Sequence, residues 1–232
     1  MKTDEVKDLL KISKQIRIDR VIPKTEFFRA LDKPDQKNLI RDNLNKLHWL
    51  ASMKPENTNI PASETFQEVE IFSAEIKNIK NAAKVFNIVN NKIPYPLFFV
   101  LSDNKYNVVC TADYEKKQNG YLRVTKIYTS PALDNQTFSS KFKNFDWRQL
   151  SNVNMGSFYA SLSRFVMLTN LETERQFKSD ADPRQAMYLK QEIESLTAEA
   201  KKVDQLNQRM RLLDQIKTKR KMLEEMYQGE NS

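Results

Sequence analysis

The stretch that decides the fold runs from Glu68 to Leu101 and reads EVEIFSAEIKNIKNAAKVFNIVNNKIPYPLFFVL. Its first ten residues are rich in β-branched and aromatic side chains, which favours a strand. Apolar side chains then recur at the 3.6-residue period of a helix from Ile79 to Val89. Pro94 and Pro96 close that helix, and Leu97–Leu101 is a continuous apolar run typical of a strand buried on both faces. The stretch therefore predicts a strand–helix–strand unit at the centre of the core.

The composition limits the kinds of protein that this chain can be. Its 232 residues suffice for one sizeable core with an appendage, and 40% apolar residues argue against general disorder. The net charge of +8 and the pI near 9.4 are compatible with a phosphate-rich or acidic partner, and equally with an ordinary solvated surface. Charge alone leaves nucleic acid open as a partner.

Several kinds of catalytic site lack the residues that they need. The single cysteine, Cys110, excludes an intrachain disulfide and a multi-cysteine zinc site, and its apolar neighbours predict a buried thiol. The single histidine, His48, lies between Leu47 and Trp49, which favours a packed imidazole over a catalytic or metal-binding one. Three glycines are too few for a phosphate-binding loop or a dinucleotide fingerprint. We therefore expect no bound metal or cofactor.

The N-terminus and the hydropathy predict a cytoplasmic protein. Acidic residues occur early in MKTDEVKDLL, which is unlike a signal peptide. No apolar stretch approaches the roughly 20 residues of a membrane span, so we expect no membrane association.

The residues before the central unit predict a mainly helical N-terminal third. Residues 1–21 are typical of a charged helix that Pro23 ends. A short element follows at Lys24–Leu31, and apolar residues from Leu39 to Leu50 recur at helical spacing. Residues 54–63 read as a loop that leads into the sheet.

The residues after the central unit predict two more strands. Residues 106–111 favour a strand that returns antiparallel, and residues 121–128 favour another. Gln118–Asn119–Gly120 between them is typical of a tight hairpin turn. Four core strands are thus expected. Residues 133–147 read mostly as a loop with at most a short strand, and 157–171 as an apolar helix.

The composition changes abruptly after a hinge at residues 179–183. No proline or glycine occurs from Arg184 to Gln228, and charged residues and glutamine dominate, which predicts one long helix. The expected fold class is α+β, with a small mixed or antiparallel sheet, helices packed on it, a helical N-terminal region and a long coiled-coil-like C-terminal helix. The expected domains are a globular part at 1–178, the hinge at 179–183 and the helix at 184–232.

The long C-terminal helix carries two candidate surfaces. Seam residues recur at heptad-like spacing from Leu189 to Met210, and Leu206, Leu213, Ile216 and Leu223 then shift the register. Candidate partner-binding residues are Leu189, Ile193, Leu196, Val203, Leu206, Met210, Leu213 and Ile216.

The second half of this predicted helix is basic. Candidate nucleic-acid-binding residues are Lys24, Lys54, Arg209, Arg211, Lys217, Lys219, Arg220 and Lys221. Solvation of a helix face explains these charges as readily as a DNA contact.

One pattern is suggestive of catalysis. Glu75 and Lys77 flank one residue at the end of the first core strand, an arrangement with which metal-dependent nucleases hold a cation and a water. Such a site needs an acid from a preceding strand. The upstream acids are Glu56, Glu64, Glu68 and Glu70, of which Glu64 and Glu68 are the candidates, with Mg²⁺ as the metal. On an edge strand the same spacing is simply a solvated face.

Several segments together resemble a known family. They are Ile22-Pro23-Lys24 with Phe27, LHWLASMKPENTNI at 47–60, FSAEIK at 72–77, KIPYPLFFVL at 92–101, and DQLNQRMRLLDQIK in the C-terminal helix. In this order they resemble the bacterial domain-of-unknown-function family four-three-nine-one. Its members look like accessory proteins encoded beside superfamily 2 helicases and DNA methyltransferases in restriction and phage-defence loci. The resemblance implies no catalytic residues, and Lys24, Lys54 and Lys77 are its polar matches.

Three hypotheses follow. The first is a non-catalytic accessory subunit of a helicase-containing antiviral defence complex, which binds a superfamily 2 helicase, with a DNA methyltransferase as a second candidate partner, and helps to engage DNA. The second is a metal-dependent nuclease subunit of the same complex, in which Glu75 and Lys77 act with an upstream glutamate. The third is a homodimer that forms through the C-terminal helix.

Overall fold

Strand β3 (Val69–Ile76) lies in the middle of a mixed sheet in the computed structural model, which describes residues 1–118, 120–171 and 176–227. Across the sheet the strand order is β1-β2-β3-β4-β5-β6, and a short β7 pairs with β5. Only the β3–β4 pair is parallel among the pairs in the described residues. A parallel pair needs a crossover connection, which a helix supplies between β3 and β4.

The other elements have the following bounds. The strands are β1 (Arg17–Ile22), β2 (Leu44–Met53), β4 (Leu97–Ser102), β5 (Tyr106–Lys116), β6 (Leu122–Thr129) and β7 (Leu133–Asp134). The helices are α1 (Thr3–Leu9), α2 (Lys24–Arg29), α3 (Pro34–Asn43), α4 (Pro55–Thr58), α5 (Ala82–Asn90), α6 (Asn135–Phe142), α7 (Met155–Leu171), α8 (Pro183–Ala200) and α9 (Leu206–Glu224). Single 3-10 turns precede α5 and α7, at Ile79–Asn81 and Trp147–Gln149.

The predicted strand–helix–strand unit is confirmed. All six residues of β4 are buried, as its unbroken apolar run indicated. Helix α5 buries Val85, Phe86 and Val89 against the sheet, where Phe86 lies beside Phe99 of β4. Helices α2 and α3 contribute to the same cluster. The opposite face of the sheet carries an aromatic group in which Phe98 stacks on Phe145.

The prediction of a mainly helical N-terminal third holds in part: helices α1 to α4 lie there, but this region also supplies the strands β1 and β2, which were not expected. The spacing of Leu44, Leu47 and Leu50 reads as helical, yet all three are buried in strand β2. Two register shifts in the β2–β3 pairing, at 44–46 and 49–51, interrupt the usual alternation of side chains. Since β2 is also covered on both faces over much of its length, its apolar residues do not follow a period of two.

Two smaller expectations after the central unit also need correction. The sheet has seven strands among the described residues rather than four. The segment 133–147 contains the short strand β7, as expected, but also helix α6, which was not expected. The carboxylate of Asp134 begins α6 by accepting a hydrogen bond from the backbone N–H of Thr137 at 2.9 Å. Asn119 of the predicted turn lies outside the described residues, and its neighbour Gly120 has φ of +81°.

The chain divides into two compact units, Met1–Val166 and Met167–Ser232. In the second unit, the predicted single long helix is wrong. Helices α8 and α9 pack as a hairpin around a turn at 201–205, where Leu212 and Ile216 of α9 form a cluster with Ala200. The turn interrupts the predicted heptad seam, which runs from Leu189 to Met210. Residues 228–232 of the predicted helix lie outside the described residues.

Candidate interaction surface on the C-terminal hairpin

The residues of the nuclease hypothesis lie at opposite ends of strand β3. Glu75 is at the carboxyl end, where its partner across the sheet on β2 is Lys46. The preceding strand, where the hypothesis needs an acid, presents a cation instead. The nearby Asp103, which follows β4, uses its carboxylate to accept hydrogen bonds from the backbone N–H groups of Ile79, Lys105 and Tyr106. Lys77 lies beyond the end of β3 and is exposed, and its backbone N–H donates to the carbonyl oxygen of Asn43 at 2.8 Å.

The upstream glutamates gather at the other end of β3. Glu68 immediately precedes the strand and Glu70 is its second residue, so Glu70 and Glu75 are separated by about 17 Å at about 3.3 Å per residue. The backbone carbonyl of Glu64 accepts a hydrogen bond from the ammonium group of Lys116. Lys116 is the last residue of β5, and this end of β5 lies on the same side of the sheet as the start of β3. Glu56 is exposed on the short helix α4. Within residues 1–118, 120–171 and 176–227, no group of three or more acidic, histidine or cysteine side chains could hold a metal ion.

Glu68 and Glu70 belong to a buried polar cluster that the sequence analysis did not identify. The Glu70 carboxylate accepts hydrogen bonds from Trp49 Nε1 and, at 2.9 Å, from the Ser52 hydroxyl. Burial raises the pKa of Glu70 to about 7, and these two hydrogen bonds offset part of the rise. Glu68 forms an ion pair with Lys54 at 2.8 Å. The sequence signal was present: two acids flank Val69 at the start of an apolar strand.

A second polar cluster surrounds His48. Its Nε2 lies 2.8 Å from Oδ1 of Asp19, and Lys7 donates to both oxygens of Asp19 at 2.9 Å. The hydrogen bond from Lys7 lowers the pKa of Asp19. Asp19 has φ of +53°, in the left-handed region, at the register shift of β1. His48 is buried, as its apolar neighbours indicated, so this cluster ties α1 to the edge of the sheet.

Lys24 and Lys54, two predicted nucleic-acid contacts, bind groups within the chain. The Lys24 ammonium donates to the carbonyl oxygens of Arg41 and Leu44 at 2.7 and 2.6 Å, at the end of helix α3. Cations at this end of a helix stabilise the unsatisfied carbonyls. Burial lowers the pKa of Lys24. Lys54 is held by Glu68, as described above, although about half of its side chain stays exposed.

The eight candidate partner-binding residues separate into an inner and an outer set. Those that pack inside the hairpin cluster are Ile193, Leu196, Val203 and Ile216, and Leu189 is also buried. The outer set is Leu206, Met210 and Leu213, which are 72%, 51% and 45% exposed. They recur at steps of four and three along α9, so they share one face of the helix. We call these three residues the apolar stripe.

The predicted basic residues of α9 lie mostly at its surface. Lys219 forms an ion pair with Glu192 of α8 at 2.8 Å, which joins the two helices of the hairpin. The remaining five are exposed: Arg209, Arg211, Lys217, Arg220 and Lys221. The exposed apolar stripe next to exposed cations makes this side of α9 a candidate interaction surface.

Comparison with known proteins supports the resemblance in the sequence. Residues 10–223 match the family described as Domain of unknown function (DUF4391). The chain belongs to the DUF4391 family. No curated protein and no solved structure matches it.

The DUF4391 match begins before strand β1 and ends at Leu223, within the last turn of α9. It therefore covers the sheet and nearly the whole helical hairpin. The apolar stripe lies inside the matched range. In the part of the DUF4391 chain that the structure describes, no helix is both long enough and apolar enough to cross a membrane.

Proposed function

We propose that this DUF4391 protein is a non-catalytic accessory subunit that docks through the apolar stripe of α9 onto a superfamily 2 helicase in a bacterial antiviral defence complex. The observation that carries the proposal is the exposure of Leu206, Met210 and Leu213 on one helix face. Exposed apolar groups that line up on one face are typical of protein interaction sites. The helicase, and a DNA methyltransferase as a second candidate, are partners that the family resemblance implies.

The packing of α9 supports docking through this face. Its opposite side already buries Leu212 and Ile216, which are 8% and 5% exposed, in the cluster with Ala200 of α8. The hairpin therefore holds the helix in place before a partner arrives, and little conformational entropy is lost on docking. The full burial of three such side chains contributes on the order of 1.5–3 kcal/mol each before the costs of association.

A contribution to DNA binding is the second part of the proposal, and it rests on charge. The chain carries a net charge of +8, and α9 has six basic residues against two acidic ones. A basic surface raises the local concentration of nucleic acid without reading its sequence. Because Lys24 and Lys54 are engaged within the chain, the exposed cations of α9 are the better candidates.

The positions of the glutamates do not favour the nuclease alternative. The acid that it needs beside Glu75 is replaced by Lys46 on the neighbouring strand, and the other glutamates lie at the far end of β3.

The test is co-purification. The tagged chain is co-expressed with a superfamily 2 helicase from the same genome, the kind of partner that the family resemblance implies. The captured helicase is quantified for the wild type and for the triple variant Leu206→Ser, Met210→Ser, Leu213→Ser. We expect the variant to retain less than about a tenth of the helicase, because loss of about 1.4 kcal/mol lowers an equilibrium constant tenfold.

The matched control changes three exposed polar residues of the same helix, Asn207→Ser, Gln208→Ser and Gln215→Ser. It removes as many side chains from α9 but leaves the stripe intact, so capture should match the wild type. Equal capture by the stripe variant and the wild type would refute docking through this face.

A further inference from the structure

The apolar stripe and part of the basic half of α9 lie on one continuous face. From Leu206 the steps to Met210, Leu213 and Lys217 are four, three and four residues, and Arg220 and Lys221 follow three and four residues later. These steps keep all of them within one helix sector. We call Lys217, Arg220 and Lys221 the basic end. At 1.5 Å per residue, the face runs about 22 Å from Leu206 to Lys221, or about four turns.

The chemical character of the side chains changes along this face. Apolar side chains occupy the centre of this face in the first two turns, and cations occupy the last two. Arg209 and Asp214 lie at its margins, three residues after Leu206 and three residues before Lys217. The cations also complement the helix dipole at the C-terminus, which accounts for some basic residues there but not for the apolar stripe that precedes them. A complementary surface must therefore be apolar at one end and anionic at the other.

A helix of a partner protein meets both requirements when it runs antiparallel to α9. Its first turn then lies against the basic end, and acidic residues in a first turn are favoured by the partner helix's own dipole. Its next turns present apolar residues to the stripe, spaced like α9 itself.

We propose that this face binds a partner helix with carboxylates in its first two turns and apolar residues in its next two turns. The inference rests on the proposed docking function and names the chemistry of the docked segment. It assigns the basic end to the partner, which leaves Arg209 and Arg211 as the exposed basic residues of α9 for nucleic acid. In sequence, the partner helix carries acids at about positions 1 and 5 and apolar residues at about positions 8, 12 and 16.

A second copy of this chain does not fit the face. In an antiparallel α9 pair, Leu206 of one copy faces Lys221 of the other, which places apolar groups on cations. In a parallel pair the basic ends lie against each other and repel. Duplex nucleic acid would pair with the cations but leave the stripe uncovered.

The experiment uses the full chain and two synthetic peptides as probes. The first peptide has glutamate at positions 1 and 5 and leucine at 8, 12 and 16, and the second has the same residues with the two halves exchanged. Fluorescence anisotropy measures the Kd of each. We expect the first peptide to bind at least about fivefold more tightly, and its affinity to fall with added salt because exposed ion pairs are screened.

Charge reversal tests the basic end. The variant Lys217→Glu, Arg220→Glu, Lys221→Glu should weaken binding of the first peptide at least about tenfold at low salt. The matched control reverses three exposed cations of the same unit that lie off the face, Lys201→Glu, Lys202→Glu and Arg211→Glu, and should change the Kd less than about twofold. Circular dichroism shows whether each variant keeps its helices.

The possible outcomes separate the inference from the proposed function. If helicase capture depends on the stripe but is unaffected by reversal of the basic end, the docking function stands and the inference fails. If the helicase is never captured while the first peptide binds as described, the inference stands and the proposed partner is wrong. Equal binding of both peptides, or binding of neither, overturns the inference. So does a result in which duplex DNA, and not the first peptide, depends on the basic end.

Discussion

Glu70 is a carboxyl group inside the sheet, and burial raises its pKa from 4.5 to about 7 because desolvation disfavours the charged form. Between pH 4.5 and about 7, Glu70 of the folded protein holds a proton that the same residue of the unfolded chain has released. The free energy of unfolding therefore falls as pH rises through this window, by about 3 kcal/mol at most, and is independent of Glu70 above it. Glutamine at this position does not titrate. We expect Glu70→Gln to remove this slope.

Urea unfolding from pH 4.5 to 8 measures the effect as the difference between the wild type and Glu70→Gln. The free energy of unfolding of the variant minus that of the wild type should rise up to about pH 7 and then stay constant. Loss of good acceptor geometry for Trp49 and Ser52 costs the variant about 1 kcal/mol at every pH, which shifts the curve but not its shape. Glu56→Gln, at an exposed site, should leave the slope unchanged. Parallel profiles for Glu70→Gln and the wild type would contradict the assigned pKa.

At the scale of single elements, the strand–helix–strand unit was predictable because each of its parts has a clear local signal. The apolar period changes at Ile79, prolines separate α5 from β4, and β4 is an unbroken apolar run. The local pattern and the tertiary burial agree in this region, and in such cases prediction from sequence succeeds. The same agreement explains why helix α7 was placed correctly.

Strand β2 could not be predicted in the same way. Whether Leu44, Leu47 and Leu50 belong to a helix or to a strand depends on register shifts that form only when β2 pairs with β3. The turn between α8 and α9 is similar, since no proline or glycine marks it. The same limit applies to the candidate partner-binding residues. Their spacing identifies all eight as apolar positions of a helix, but only the fold of the hairpin shows that Ile216 faces inward and Leu213 outward.

Ile216 and Leu213 provide a direct test of the hairpin. Ile216 is 5% exposed in the cluster with Ala200, whereas Leu213 is 45% exposed on the stripe. Truncation of a buried isoleucine to alanine costs about 2 kcal/mol or more, and truncation of a half-exposed leucine costs much less. Hydrogen exchange of the α8 and α9 amides should therefore become about thirtyfold faster in Ile216→Ala and change little in Leu213→Ala.

Either of two results would contradict the hairpin. Equal effects of the two substitutions would mean that α9 has no inward face at Ile216. Faster exchange confined to α9, with α8 unaffected, would mean that the two helices do not stabilise each other.

At the scale of the whole molecule, the chain has two compact units. The sheet lies in Met1–Val166, and the proposed docking surface lies in Met167–Ser232. One large apolar cluster, on the side of the sheet that α5 covers, draws its members from α2 to β6, all within Met1–Val166. The hairpin has a small cluster of its own around Ala200, Leu212 and Ile216. We expect the unit with the sheet to fold without the hairpin, because none of the hairpin's residues belongs to this cluster.

A chain that ends at Lys178 tests this independence and the homodimer hypothesis together. We expect residues 1–178 to unfold cooperatively and to be monomeric. We also expect the full chain to be monomeric, because the stripe and the basic end do not match a second copy of themselves. Light scattering after size exclusion gives the mass of each, and thermal unfolding followed by circular dichroism gives the transition.

A chain ending at Gln205 is the control. It keeps α8 but loses α9, which leaves Ile193 and Leu196 uncovered, so it should aggregate more than either of the other two chains. A dimeric full chain with a monomeric fragment would show that the hairpin mediates self-association after all, and a fragment without a cooperative transition would show that the sheet depends on residues beyond Lys178.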